Sequence, residues 1–120
     1  MWARAMAPIV YKLVDRTEWQ LAEVFGSFSG SAVDVRDGFI HFSAAAQVRE
    51  TAARYFPGRA DLLLVAVEAQ ALGAALRWEP SRGGDLFPHL YAPLPLSAVR
   101  SVAALGLDAS GRHVFPDDVP

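Results

Sequence analysis

Three short stretches of this chain carry side chains able to do chemistry. The first is Gly38-Phe-Ile-His-Phe-Ser43. It reads as a strand, so Phe39, His41 and Ser43 share one face and Ile40 and Phe42 the other. An imidazole and a hydroxyl then stand together where a strand gives way to a helix. Free N–H groups and partial positive charge at a helix start suit a polar or anionic ligand. Capping of that helix would by itself account for Ser43. His41 sits in an apolar strand and needs a polar partner, structural or functional.

The second stretch is Arg77-Trp-Glu-Pro-Ser-Arg-Gly-Gly-Asp85. Glu79 falls at a strand end, followed by a glycine-rich loop that carries Arg82. Gly83 and Gly84 would let backbone approach a bound group closely; a plain solvent loop would carry them too. The third is Leu86-Phe-Pro-His-Leu-Tyr-Ala-Pro-Leu-Pro95, where His89 and Tyr91 can share a face. His113, near the C-terminus, reads as structural or exposed. A dispersed set of His, Glu, His and Tyr is what a site between strand ends uses.

The elements that position these groups follow from pattern. Ile9 to Val14 is β-branched and aromatic, hence a strand. Asp15 and Glu18 are spaced as a capping box for a helix from Arg16, with Trp19, Ala22 and Phe25 on its buried face and Gly26 as its stop. Ser27 to Ser31 reads as a loop, and Asp37-Gly38 as a turn. A second helix runs from Ala44 to about Phe56, with Val48, Ala52 and Tyr55 as its apolar stripe and Glu50 paired with Arg54. Leu62 to Val67 is uniformly apolar, as in a strand buried on both faces. Glu68 to Gly73 reads as a helical turn, and Ala75 to Glu79 as a strand closed by Pro80. Prolines 88, 93 and 95 hold Leu86 to Leu96 extended. Ala98 to Leu105 and Arg112 to Phe115 read as strands able to pair across the Asp108 to Gly111 turn. Helices early and strands late predict one α+β domain over 9–115, a curved mixed or mostly antiparallel sheet with two main helices. Residues 1–8 and 116–120 read as tails, and Met6 could be the start instead of Met1.

Composition excludes several classes. A chain of 120 residues that is 52% hydrophobic can bury a real core. Its net charge of −2 gives no basic footprint, so neither nucleic acid nor membrane is an expected partner. The longest apolar run, Leu62 to Val67, is too short to span a bilayer. No cysteine is present, which removes disulfides, thiolate metal sites and a cysteine nucleophile, and points to the cytoplasm. Lys12 is the only lysine; every other basic residue is arginine. No Walker loop, G-x-G-x-x-G, H-E-x-x-H or G-x-S-x-G motif occurs, nor any zinc spacing.

Together, Gly38-Phe-Ile-His-Phe-Ser-Ala-Ala-Ala-Gln47, Trp78-Glu79 and Leu86-Phe-Pro-His-Leu-Tyr-Ala-Pro-Leu-Pro-Leu96-Ser-Ala-Val99 resemble the bacterial domain family of unknown function numbered 952, across about residues 9–115. That family has been likened to the ADP-ribosyltransferase fold of poly-ADP-ribose polymerases and RNA 2′-phosphotransferases. There a His-Gly-Ser or His-Gly-Thr at a strand end holds the ribose and amide of NAD. The resemblance carries those roles to His41 and Ser43, with Phe42 in place of the glycine. It implies an ADP-ribosyltransferase-like fold and NAD as a candidate substrate rather than a resident cofactor.

The expectation is a nucleotide- or NAD-binding pocket that transfers ADP-ribose or a related group. His41, Glu79 and His89 are its candidate catalytic residues. Ser43, Trp78, Arg82, Gly83, Gly84 and Tyr91 are its candidate ligand contacts. Glu79 would stabilise a developing oxocarbenium charge. The alternatives are a binding or interaction module without chemistry, and a metal site from His41, His89 and Glu79.

Overall fold

The computed structural model describes residues 8–120. The expected N-terminal tail, Pro8 apart, and the choice between Met1 and Met6 lie outside the described residues. Strand β1 (Ile9–Asp15) is apolar on both faces and is accordingly buried on both. Val10 and Val14 enter one core, Tyr11 and Leu13 another. Helix α1 (Arg16–Phe25) follows directly. It buries Trp19 and Ala22 and stops at Gly26, whose φ of 91° needs glycine. Phe25, expected on the buried face, is 82% exposed instead, because the helix ends past the edge of the core. Asp15 stands at the N-cap without a side-chain cap bond; its carboxylate pairs with Arg59 at 2.7 Å.

The segment read as a loop and turn contains β2 (Ser27–Phe28) and a six-residue helix, α2 (Ala32–Asp37). The Val-Asp-Val pattern of that helix shows no helical period. Its start is built by Asp34, whose carboxylate accepts bonds from the Ser31 N–H and hydroxyl at 2.9 and 3.1 Å.

The single strand expected over Phe39 to Ser43 is two: β3 (Ile40–His41) and β4 (Ser43–Ala44). The chain changes sheets at Phe42, whose N–H donates to the Pro88 carbonyl at 2.9 Å. Alternation cannot reveal such a change, because each half is only two residues long. Helix α3 (Ala45–Tyr55) comes next, burying Val48 and Ala52. Tyr55 of the expected stripe is 60% exposed. Ser43 does not cap α3; the Gln47 side chain accepts from the Ala44 N–H at 2.9 Å instead. Glu50 and Arg54 pair as expected, at 2.8 Å.

Strand β5 (Leu62–Glu68) lies inside the four-stranded sheet and pairs with β1 along its whole length. A 3-10 segment, Ala69–Ala75, leads to β6 (Leu76–Pro80), then β7 (Leu86–Leu90), β8 (Leu94–Pro95) and β9 (Val99–Leu105). The sheets have the orders β4-β1-β5-β9, β3-β7-β6 and β2-β8, and every pairing is antiparallel. This is an α+β domain with two main helices. The expected terminal hairpin is reduced to one antiparallel bridge, Leu107 with His113, flanked by bonds from the Asp108 N–H to the Arg112 carbonyl and from the Val114 N–H to the Gly106 carbonyl, each 2.8 Å. The turn between them is closed by Asp108, which accepts from Ser110 and Arg112. Val119 is buried in the second core, and Arg49 holds the Val119 and Pro120 carbonyls. Among the described residues no helix is long and apolar enough to cross a membrane.

Two cores sandwich the four-stranded sheet. On one side Leu63, Val65 and Val67 meet Trp19, Phe28, Ile40, Phe42 and Leu90. On the other Leu62, Leu64 and Ala66 meet Val48 and Ala52 of α3. The three-stranded sheet closes the first core and carries the polar cluster described next.

Candidate functional site

Strand register brings the two histidines together. His41 stands opposite His89 across β3 and β7, and His89 opposite Arg77 across β7 and β6. Paired residues share a face, so the imidazoles lie side by side with ring centroids 5.8 Å apart. Phe39 stacks on His89 at 4.0 Å and touches the His41 and Tyr91 rings at 4.6 and 5.3 Å.

Beneath His41 lies a charge network. Lys12 occupies the β1 face that otherwise supplies Val10 and Val14 to the core. Its ammonium is 2.9 and 3.1 Å from the two Asp34 oxygens and donates to the His41 carbonyl at 3.0 Å. Asp34, 1% exposed, also accepts from the His41 N–H at 3.0 Å and meets His41 Nδ1 at 2.6 Å. Burial pushes the Asp34 carboxyl up, but bonds from His41 and the charge of Lys12 outweigh it and hold the group well below the ordinary carboxylate range. Burial lowers Lys12, and Asp34 opposes that. Neither Lys12 nor Asp34 stood out as a site residue in the sequence. The signal was a lone lysine inside an apolar strand, which must find a carboxylate if it is buried.

Over His89 the geometry differs. Glu79 Oε1 lies 2.8 Å from His89 Nδ1 and accepts from the Tyr91 hydroxyl at 2.7 Å. These two bonds hold the Glu79 carboxyl below its ordinary range, that from Tyr91 contributing most. Since a carboxylate only accepts, Nδ1 carries the proton. His89 Nε2 has no protein partner among the described residues.

A cleft of about 480 Å³ opens between α2, α3 and the β6–β7 loop, a volume suited to a small-molecule ligand. Of the nine expected site residues, His41, Ser43, Arg82 and His89 line it. Glu79, Trp78, Gly83, Gly84 and Tyr91 do not. Glu79 and Tyr91 stand behind His89. Trp78 projects from the opposite face of β6 and is 41% exposed. Gly83 and Gly84 have φ of 68° and 83° and make the turn that returns Arg82 to the cleft. Arg82 donates to the Thr51 hydroxyl at 3.2 Å, lies 3.5 Å from Glu50 and covers the Phe87 ring at 4.9 Å. Ser43 is buried, its hydroxyl 3.2 Å from that of Thr51. Aromatic walls come from Tyr11, Tyr55, Phe56 and Phe87.

His41, His89 and Glu79 do not form a metal site. Both nitrogens of His41 face aspartates, Nε2 meeting Asp37 at 2.9 Å. Among the described residues no three His, Asp or Glu side chains are placed to hold a metal ion. A second hollow, about 720 Å³, lies between α3 and the Asp108 turn. Two of its polar groups are engaged elsewhere: Arg49 with the Val119 and Pro120 carbonyls, and His113 Nε2 with the Arg59 carbonyl at 2.7 Å.

The family model for "Protein of unknown function (DUF952)" matches residues 13–102. No curated protein matches the chain. The crystal structure of protein CC0527 from Caulobacter crescentus is 53% identical, covers 92% of this chain and 97% of its own, and superposes with a TM-score of 0.88. The solution NMR structure of the same protein is 56% identical over 87% of this chain and 90% of its own, with a TM-score of 0.79.

Proposed function

The chain belongs to the DUF952 family of proteins of unknown function, and from the geometry of its cleft we propose that it binds a phosphate-bearing, nucleotide-sized ligand and moves a proton on it through His89. The observation that carries this reading is the 2.8 Å contact between Glu79 and His89 Nδ1, with Nε2 left unpartnered in a cleft that Arg82 also lines. A carboxylate on Nδ1 fixes the tautomer and favours the imidazolium that forms when Nε2 takes a proton. His89 then accepts a proton at Nε2 from a ligand hydroxyl as that oxygen bonds to the ligand's phosphorus, and returns it to the oxygen that leaves as the opposite P–O bond breaks. Arg82, already oriented by Thr51 and Phe87, offers its fork to a phosphate. The aromatic walls suit a planar base. In this reading Glu79 is a positioning residue, not the charge stabiliser expected from its sequence position.

NAD and ADP-ribose are the first nucleotides to test. The likeness of His41-Phe42-Ser43 to the His-Gly-Ser element supports that choice, and with it an ADP-ribosyltransferase-like fold and group transfer. Binding without chemistry is the second reading. It is favoured by the engagement of His41 with two aspartates and of Ser43 with Thr51.

Thermal shift and turnover assays with NAD, ADP-ribose and AMP separate the two. A ligand specific for the folded protein raises its melting temperature by mass action. The proton-transfer reading expects His89→Gln to keep that shift and lose turnover. Equal shifts with no turnover in either protein support the binding module. No shift with any nucleotide contradicts both.

A further inference from the structure

His41 meets a carboxylate at each ring nitrogen, Asp34 at 2.6 Å on Nδ1 and Asp37 at 2.9 Å on Nε2. Carboxylates only accept, so an imidazolium, donating from both nitrogens, is the form that satisfies both contacts. The two contacts differ in kind. Asp34 is buried and fixed by Lys12, Ser31 and the His41 N–H. The Asp37 side chain is 32% exposed and lines the cleft. Its other partner among the described residues is the neighbouring Arg36 at 3.0 Å, itself 72% exposed. Asp37 is the last residue of α2, where the helix dipole disfavours a negative charge, so helix stability does not account for an acid there. Gly38 follows with φ of 86°, the left-handed turn that ends α2.

Charge bookkeeping points the same way. A protonated His41 and Lys12 together balance Asp34 and Asp37, and Arg36 beside Asp37 adds a further positive charge. With Asp37 turned away, only Asp34 is left against Lys12 and a protonated His41. The groups facing this ring are Asp34 and Asp37 from α2, Lys12 of β1 through Asp34, and His89 of β7 at 5.8 Å.

We infer that the Asp37 carboxylate occupies the subsite of an anionic ligand group, and that a ligand phosphate takes its place on His41 Nε2 while Asp37 turns toward Arg36 and solvent. The inference rests on the reading of the cleft as a site for phosphate-bearing ligands. It makes Asp37 an internal competitor and His41 a ligand-binding residue whose site is closed until the ligand arrives.

Calorimetry with AMP and with adenosine tests it, on the parent and on Asp37→Ala, with Asp37→Asn as a second variant that keeps the side-chain size. Removing the competitor is expected to tighten AMP binding about tenfold, the scale of one charge-assisted hydrogen bond, and to leave adenosine binding unchanged. Adding His41→Gln to Asp37→Ala is expected to abolish the gain. A gain that survives His41→Gln overturns the subsite. Equal or weaker AMP binding by both Asp37 variants, with binding still weakened by Arg82→Ala, overturns the inference and leaves the cleft reading standing. Absence of AMP binding by parent and variants alike overturns both.

Discussion

Glu79 stands opposite Phe87 in the strand register, yet its carboxylate reaches diagonally to His89, two residues along β7, and closes on Nδ1 at 2.8 Å. The Tyr91 hydroxyl meets the same oxygen at 2.7 Å. A carboxylate is thereby held behind the imidazole, while the opposite ring nitrogen has no protein partner among the described residues. Glu79→Gln keeps the acceptor but removes the charge that favours an imidazolium. Turnover on the ligand is expected to fall about 10- to 100-fold, the usual scale for a supporting partner, with KM unchanged. A rise in KM without loss of kcat would place Glu79 on the ligand instead.

Tyr91 helps hold the carboxyl of this pair in its charged form. Its hydrogen bond is the larger cause holding Glu79 below the ordinary range, and the bond from His89 adds to it. A depressed carboxyl keeps its charge to lower pH than a free glutamate. Tyr91→Phe removes the larger cause, so the Glu79 carboxyl, followed by NMR titration, is expected to protonate at higher pH. An unmoved Glu79 titration in that variant would show that Tyr91 does not hold it down.

The buried pair under His41 governs stability. Lys12→Met leaves Asp34 charged and 1% exposed, and Asp34→Leu leaves Lys12 without its carboxylate. Each is expected to cost about 3–5 kcal/mol, read as a lower urea midpoint at unchanged slope. Asp34 is depressed in the folded state, so its contribution is complete above the ordinary carboxylate pKa and lost as pH falls through the folded value. Unfolding midpoints are expected to drop on acidification below about pH 4, and Asp34→Leu to flatten that part of the profile. An equally steep profile in the variant would assign acid unfolding to other carboxylates.

Surface and core of α1 separate just as sharply. Val24 and Phe25 are each 82% exposed, so Val24→Ser and Phe25→Ser are expected to change stability by no more than about 0.5 kcal/mol. Trp19, packed against Phe28 with ring centroids 5.9 Å apart, is expected to cost about 3–5 kcal/mol as Trp19→Ala. Thermal or urea unfolding of the three variants reads both.

What the sequence showed and what it hid follow from the length of each signal. The seven-residue strands β1 and β5 and the helices α1 and α3 are long enough for composition and period to show, although the cap bonds expected from Asp15 and Ser43 are not made. Helix α2 was not legible. It has six residues, and its start depends on Asp34 bonds that also serve Lys12 and His41. The sheet change at Phe42 was hidden because two-residue strands leave no period. For the site, residue chemistry picked out His41, Ser43, Arg82 and His89, which do line one cleft. Their roles were not legible, because Asp37 meets His41 only through the unforeseen helix α2 that ends four residues before it, and Thr51 reaches Ser43 from α3. Glu79 was found by chemistry, but its bonds to His89 and Tyr91 were not legible, since nothing in a strand end tells whether a carboxylate meets a ligand or a neighbouring imidazole.

Amide chemical-shift mapping with ADP-ribose tests most directly whether the ligand enters the cleft between α2, α3 and the β6–β7 loop. Perturbations are expected to concentrate at Asp37, His41, Ser43, Thr51, Arg82 and His89, and to be lost in Arg82→Ala. Perturbations at Arg49, Ser110 and Arg112 around the second hollow, or none at saturating ADP-ribose, would contradict binding in this cleft.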